Sequence, residues 1–320
     1  MSGKRQKVIL TGGLGYVGGR IARHLAQTGE FEVWVTSRKV PVSLPEFPCA
    51  IQQVNLADPV ELSELLRGAD AVVHLAAVNE IVSTQDPLYA QEINTRQSLL
   101  LLQEAVKAQV SKFVYFSTIH VYGRPLEGKI TEERLPIPVH PYAINHKGAE
   151  DYVIAALLNQ QIEGAVFRLS NSFGAPVWPE VDRWTLLVND LCRQAFTQGK
   201  LVLKSDGTQL RDFVTLTDVS RAVEHMLQVD QLDVAVPVFN LGGEKALSVL
   251  QMTEWIANRF FALFGKHIPI EIGASQATVV EQKGLAFSID KLKRTGFVLQ
   301  NNIEQEIDDM LLFCKQHFEK

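Results

Sequence analysis

Cysteine is scarce. The 320 residues hold three, Cys49, Cys192 and Cys314, far apart and at no metal-ligating spacing. So sparse and odd a set excludes a disulfide framework and reads as reduced intracellular thiols. Long apolar runs are also missing. No stretch approaches the roughly 18 residues that a membrane helix needs. The opening MSGKRQKVIL runs into glycines after three apolar positions, too short for a secretion signal. The expectation is a cytoplasmic protein. Positive charge is not in excess: 31 Lys and Arg against 36 Asp and Glu leave −5, so nothing global attracts nucleic acid or an anionic membrane. Any bound anion needs a local site. Repeats and low-complexity tracts are absent, and 46% hydrophobic with 21% charged residues excludes wholesale disorder.

What is present is a hydrophobic period that keeps switching. Lys7 to Leu10 is β-type, and Val17, Ile21 and Leu25 then recur at helical spacing through Tyr16 to Gln27. Further strands are expected at Phe31–Thr36, Ile51–Val54, Ala69–Leu75, Val110–Phe116 and Ala165–Leu169. Helices are expected at Pro59–Arg67, Tyr89–Ala108 and Tyr142–Leu158. Continuous apolar strands alternating with helices predict a doubly wound α/β domain, a parallel sheet covered on both faces. After about residue 172 the alternation breaks down. The expected division is a dinucleotide-binding domain at 1–171, to which 209–241 returns through Phe213–Asn240, and a smaller irregular substrate lobe from 172–208 and 242–320.

The first strand ends in TGGLGYVG, with Gly12, Gly15 and Gly18 between strand and helix. Glycines there let the backbone turn tightly and approach a pyrophosphate, whose charge sits on the helix N-terminus. Alone the string is weak evidence; its place between strand and helix at the chain start strengthens it. The second strand ends Thr36-Ser37-Arg38-Lys39, where an NAD site normally places an acidic residue for the ribose 2′-hydroxyl. With a hydroxyl and two cations instead, NADP(H) is favoured and NAD(H) stays possible, since Arg38 can pair with a 2′-phosphate or merely stack on adenine.

The residues around these motifs resemble the extended short-chain dehydrogenase/reductases, in order and over nearly the whole chain. The resemblance rests on TGGLGYVG, His74-Leu75-Ala76-Ala77, Asn94, Phe116-Ser117-Thr118 before Val121-Tyr122-Gly123, and Pro141-Tyr142-Ala143. It continues in RLSNSFG from Arg168 and in Arg211-Asp212-Phe213-Val214. It implies a Rossmann-type fold, and its nearest subgroup acts on nucleotide-diphosphate sugars. Implied roles follow. Thr118 and Tyr142 would be catalytic, hydrogen-bonding and protonating the reacting oxygen. Gly12, Gly15, Tyr16, Val17, Gly18, Ser37, Arg38, Asn55, Leu56, Leu75, Ala76, Ala77 and Asn94 would form the cofactor site with Tyr142 and His146. Thr118, His120, Asn171 and Arg211 would meet the substrate. No metal is expected.

The sequence departs from that family at its catalytic lysine. The family reads YxxxK, whereas Tyr142-Ala143-Ile144-Asn145-His146-Lys147 places His146 at the lysine position. Lys147 falls about 100° further round the helix and cannot simply take over. A histidine is mostly neutral at pH 7, which disfavours Tyr142 as a base more than as an acid. Ile119 and His120 stand where family dehydratases carry acidic residues, so elimination of water is not expected. The leading expectation is therefore an NADP(H)-dependent reductase of a keto group on a nucleotide sugar. A rival is an epimerase with retained cofactor, and a reading of another class is a regulator with impaired catalysis. Surplus apolar residues on Gln97–Ala108 and Val153–Leu158 suggest a homodimer through these helices.

Overall fold

The computed structural model describes residues 5–38, 47–273 and 284–319. Its strands are β1 (Gln6–Thr11), β2 (Phe31–Ser37), β3 (Ala50–Gln53), β4 (Ala71–His74), β5 (Lys112–Thr118), β6 (Gly128–Ile130), β7 (Glu163–Leu169), β8 (Asn171–Phe173), β9 (Leu201–Leu203), β10 (Leu210–Thr215) and β11 (Val238–Leu241). Three short ones follow, β12 (Ala246–Ser248), β13 (Ile270–Ile272) and β14 (Leu285–Phe287). A seven-stranded sheet runs β11-β7-β5-β4-β1-β2-β3, and every neighbouring pair in it is parallel. This is the doubly wound Rossmann-type arrangement expected from the alternation. The chain leaves β1 towards β2 on one side and crosses to β4 on the other, so a crevice opens at their carboxyl ends.

The helices of the first half are α1 (Tyr16–Thr28), α2 (Pro59–Leu66), α3 (Glu80–Gln85), α4 (Pro87–Gln91), α5 (Gln97–Lys107) and α6 (Pro141–Leu158). Each sheet face has its own core. Ile21 and Leu25 of α1 are fully buried against Val8, Leu10 and Val35, and α2, α5 and α6 bury Leu62, Leu101 and Val153 on the other side. Burying one such side chain stabilises by about 1.5–3 kcal/mol. The second half adds α7 (Leu187–Thr197), α8 (Leu216–Gln228), α9 (Val249–Phe264), α10 (Asp290–Arg294) and α11 (Ile303–Phe318). There α7, α9 and α11 enclose a separate core around Leu191, Met252, Ile256 and Met310. No helix among the described residues is long and apolar enough to cross a membrane.

Two expectations are corrected. Tyr89–Ala108 is not one helix: α4 passes through a wider π-type turn at Glu92–Arg96 before α5. The turn carries the buried Asn94, whose side chain is held by the backbone of Val78. Phe213–Asn240 returns to the main sheet only through β11. Phe213 lies on β10, which pairs with β8 and β12 in a three-stranded sheet, because the strand that continues β7 past Ser170 captures it first.

Candidate active site

The glycine turn sits at the crevice. Gly12 has φ +70°, and a Cβ there would lie 2.9 Å from the Ala76 nitrogen. A Cβ on Gly18 would lie 2.2 Å from the Gly12 carbonyl oxygen. Both contacts are to backbone, so neither can give cheaply. Gly15 caps α1 without any side-chain hydrogen bond, leaving first-turn N–H groups of Tyr16, Val17 and Gly18 without intrahelical partners. That is a ready cradle for a pyrophosphate. The β4 end supplies the other wall. Leu75 donates its N–H to the Thr11 carbonyl, Ala76 donates to Thr11 Oγ1, and Ala77 is exposed.

Several residues expected at the cofactor have other jobs for their side chains. Asn94 accepts from the Val78 N–H at 2.7 Å and donates to its carbonyl at 3.1 Å, so it shapes the loop after β4. The buried Tyr16 hydroxyl lies 2.9 Å from the Gly174 carbonyl oxygen and 3.0 Å from Asn189 Oδ1, two acceptors for its one proton. The Asn55 side chain accepts from Ala57 N–H, and Leu56 is buried. Arg38 is exposed and donates to the Tyr89 hydroxyl at 3.0 Å, beside a half-buried Ser37. Lys39 lies outside the described residues.

A cavity of about 820 Å³ continues from the glycine turn. Tyr16 and Val17 line its near side, and Thr118, His120, Tyr142, Asn171 and Arg211 share its wall. These residues come from distant segments. Thr118 ends β5, and its Oγ1 accepts the His120 N–H. Tyr142 stands on the first turn of α6, where Pro141 occupies a position that needs no N–H and His140 Nδ1 accepts the Tyr142 N–H at 3.2 Å. Asn171 donates to the Asp212 carbonyl, and Arg211 donates to Gln209. Asp212 itself is fully buried and holds Ser170, Gly243 and Lys245, so it anchors the loop; burial pushes its carboxyl up to about 6.

His146 lies one turn along α6, 5% exposed, with its ring edge-to-face against Tyr142 at 4.4 Å between centroids. Burial pushes its pKa down to about 4, against the pull of the neighbouring Phe116 carbonyl, and so keeps it neutral. Burial likewise pushes the Tyr142 hydroxyl up to about 12; Arg183 opposes this and Glu80 adds to it. Lys147 turns away and pairs with Asp151. Among the described residues, His146 Nε2 and Ser117 Oγ are the buried side-chain polar atoms without a hydrogen-bond partner. An unsatisfied group of this kind beside the crevice fits a ligand, and with the glycine cradle the site fits a dinucleotide.

Sequence reasoning missed Arg124 and Arg183, which also line the cavity from loops. Arg211 is held below its usual pKa, first by burial and then by the charge of Arg124. Two like-charged guanidiniums at one cavity wall would favour an anion between them.

A model of the NAD dependent epimerase/dehydratase family matches residues 8–242. The low-salt glycan biosynthesis protein Agl12 of Haloferax volcanii is 25% identical, covering 97% of this chain and 98% of its own length. The UDP-glucose 4-epimerase of Lactobacillus helveticus is 28% identical over 78% of the chain and 80% of its own length. Among solved structures, the UDP-glucuronic acid 4-epimerase of Bacillus cereus in complex with UDP-glucuronic acid and NAD superposes with a TM-score of 0.80, at 22% identity over 97% and 99% of the two chains.

Proposed function

The chain belongs to the NAD dependent epimerase/dehydratase family and is an enzyme of the extended short-chain dehydrogenase/reductase type, and from that premise we propose that it uses a nicotinamide dinucleotide to epimerise a nucleotide-diphosphate sugar at C4. The observation that carries this reading is the convergence of Thr118, Tyr142, Asn171 and Arg211 on one cavity that runs from the glycine cradle. The 4-epimerases among its relatives support it.

The residues divide the work by their chemistry. Asn171, Arg211 and Arg124 hold the diphosphate with an amide and two guanidiniums. Thr118 and Tyr142 hydrogen-bond the reacting sugar oxygen. A dinucleotide held by the glycine cradle and His146 would supply the acceptor, and then the donor, of a hydride at C4. As the phenolate Tyr142 takes the hydroxyl proton when hydride leaves C4, and as the phenol so formed it gives the proton back when hydride returns. His146 holds the cofactor ribose from its Nε2 position.

A second reading is one-way reduction of a keto sugar by NADPH, and two observations favour it. Neutral His146 does little to ease loss of the Tyr142 proton, which suits Tyr142 as an acid. Ser37 and Arg38 offer a 2′-phosphate a hydroxyl and a guanidinium where a carboxylate would repel it. One experiment separates the readings. The protein is incubated with UDP- and dTDP-sugars, and in parallel with their 4-keto derivatives and NADPH or NADH, and products are followed by NMR. Interconversion of C4 epimers without net cofactor consumption is expected. Cofactor consumption on keto sugars alone, with NADPH bound more tightly than NADH, would replace epimerisation by reduction. Neither activity with any sugar would sink both.

Assembly belongs to the same reading. Ile144, Tyr152 and Leu158 on α6 are 51%, 48% and 51% exposed, an apolar surface beside the site. It suits a second copy of this chain. Light scattering at micromolar concentration is expected to give twice the chain mass; a monomer would count against it.

A further inference from the structure

Tyr115 is an aromatic of β5 that no motif singles out. It is 2% exposed, and its hydroxyl lies 3.0 Å from His146 Nδ1 and 3.4 Å from the His146 carbonyl oxygen. From this contact we infer that Tyr115 is a positioning residue, which donates its proton to Nδ1 and so fixes His146 as the tautomer bearing hydrogen on Nε2.

A neutral phenol has one proton to give, and burial holds the Tyr115 hydroxyl well above its ordinary pKa, so the proton stays on. Two acceptors compete for it. The His146 carbonyl is the longer contact, and it lies inside the continuous helix α6, where the N–H of Glu150 already occupies it. The ring nitrogen is the nearer acceptor. Once Nδ1 accepts, a neutral imidazole must carry its hydrogen on Nε2. Nε2 is, with Ser117 Oγ, one of the two buried side-chain polar atoms that the described residues leave unpaired. The result is a fixed N–H donor one helical turn from Tyr142, in a position where the family reading expects an ammonium. An imidazole free to rotate or tautomerise would offer a donor only part of the time. A phenol beneath it makes the donor permanent without charge.

The role in turnover rests on the reaction class proposed above; the tautomer does not. The test therefore starts from the free protein, labelled with 15N-histidine, by long-range 1H–15N correlation at neutral pH. The His146 signals are identified by their loss in His146→Gln. A protonated-type Nε2 with an unprotonated-type Nδ1 is expected. In Tyr115→Phe the two nitrogens should move towards averaged values, and kcat should fall about tenfold with little change in substrate KM, as for other residues that orient an imidazole. A native spectrum with hydrogen on Nδ1 would overturn the inference, and so would an unchanged spectrum in Tyr115→Phe. The expected spectra without activity on any sugar would leave the tautomer standing and remove the reaction reading instead.

Discussion

Replacing Tyr142 by phenylalanine is expected to cut turnover by about two or more orders of magnitude while leaving the protein folded. Positioned proton transfer contributes on the order of 10²- to 10⁴-fold, and Tyr142 is the residue proposed to carry it. It shares the cavity wall with Thr118, a hydroxyl set there at the end of β5. Its hydroxyl is pushed up to about 12 by burial, so the free site holds it protonated, the form that donates when hydride returns; the oxidising half needs its phenolate. Phenylalanine keeps the ring that packs edge-to-face on His146, and it keeps the backbone N–H that His140 caps. The loss should fall on kcat, with the melting temperature close to native. A Tyr142→Phe protein that turns over at the native rate would show that another group moves the proton.

Glu150→Ala should have the largest effect on stability, about 3–5 kcal/mol. Glu150 on α6 is fully buried, and Arg168 on β7 is 4% exposed. The guanidinium reaches one carboxylate oxygen from Nη2 at 2.6 Å and the other from Nε at 3.3 Å. The pair is the hub of a larger network. Arg168 Nη1 donates to the Tyr122 hydroxyl, which donates to Asn240, which in turn holds the carbonyls of Ile130 and Ser288. Removing the carboxylate strands a buried cation, whose desolvation is then uncompensated. Because α6 also carries Tyr142 and His146, activity should fall with stability. The check is the urea midpoint of Glu150→Ala against native, with Glu150→Gln as the milder change. A shift worth less than about 1 kcal/mol would mean that the pair adds no more than an exposed one.

The sheet was legible because a parallel strand buried on both faces has to be apolar throughout, and an amphipathic helix has to repeat every 3.6 residues. Those constraints act within short windows, so strand after strand could be read along the chain, and α6 was expected from Tyr142, one residue inside its start at Pro141. The glycine turn was legible for a related reason: Gly12 and Gly18 stand where any Cβ would strike backbone. The substitution of His146 was visible by counting from Tyr142, and so was the misplacement of Lys147. The break in the helix expected at Tyr89–Ala108 was not visible, since every residue in it is compatible with a helix and only the tie from Asn94 to Val78 distinguishes the π-type turn.

The partners of the proposed catalytic residues were hidden for the same reason. Tyr115 reads in sequence as one more buried aromatic, and its hydroxyl acquires meaning only when α6 lays His146 across β5, 31 residues later. Arg124 and Arg183 sit in loops with no period and no motif, and tertiary structure alone brings them to the wall that holds Arg211. By itself, then, the sequence determined the sheet, the cradle and the identity of the groups that could do chemistry. Folding decided their protonation and their aim: whether an imidazole is neutral, which of its nitrogens carries the hydrogen, and which guanidiniums share an anion. Burial and electrostatic neighbours govern those properties, and both are set by segments far apart in the chain.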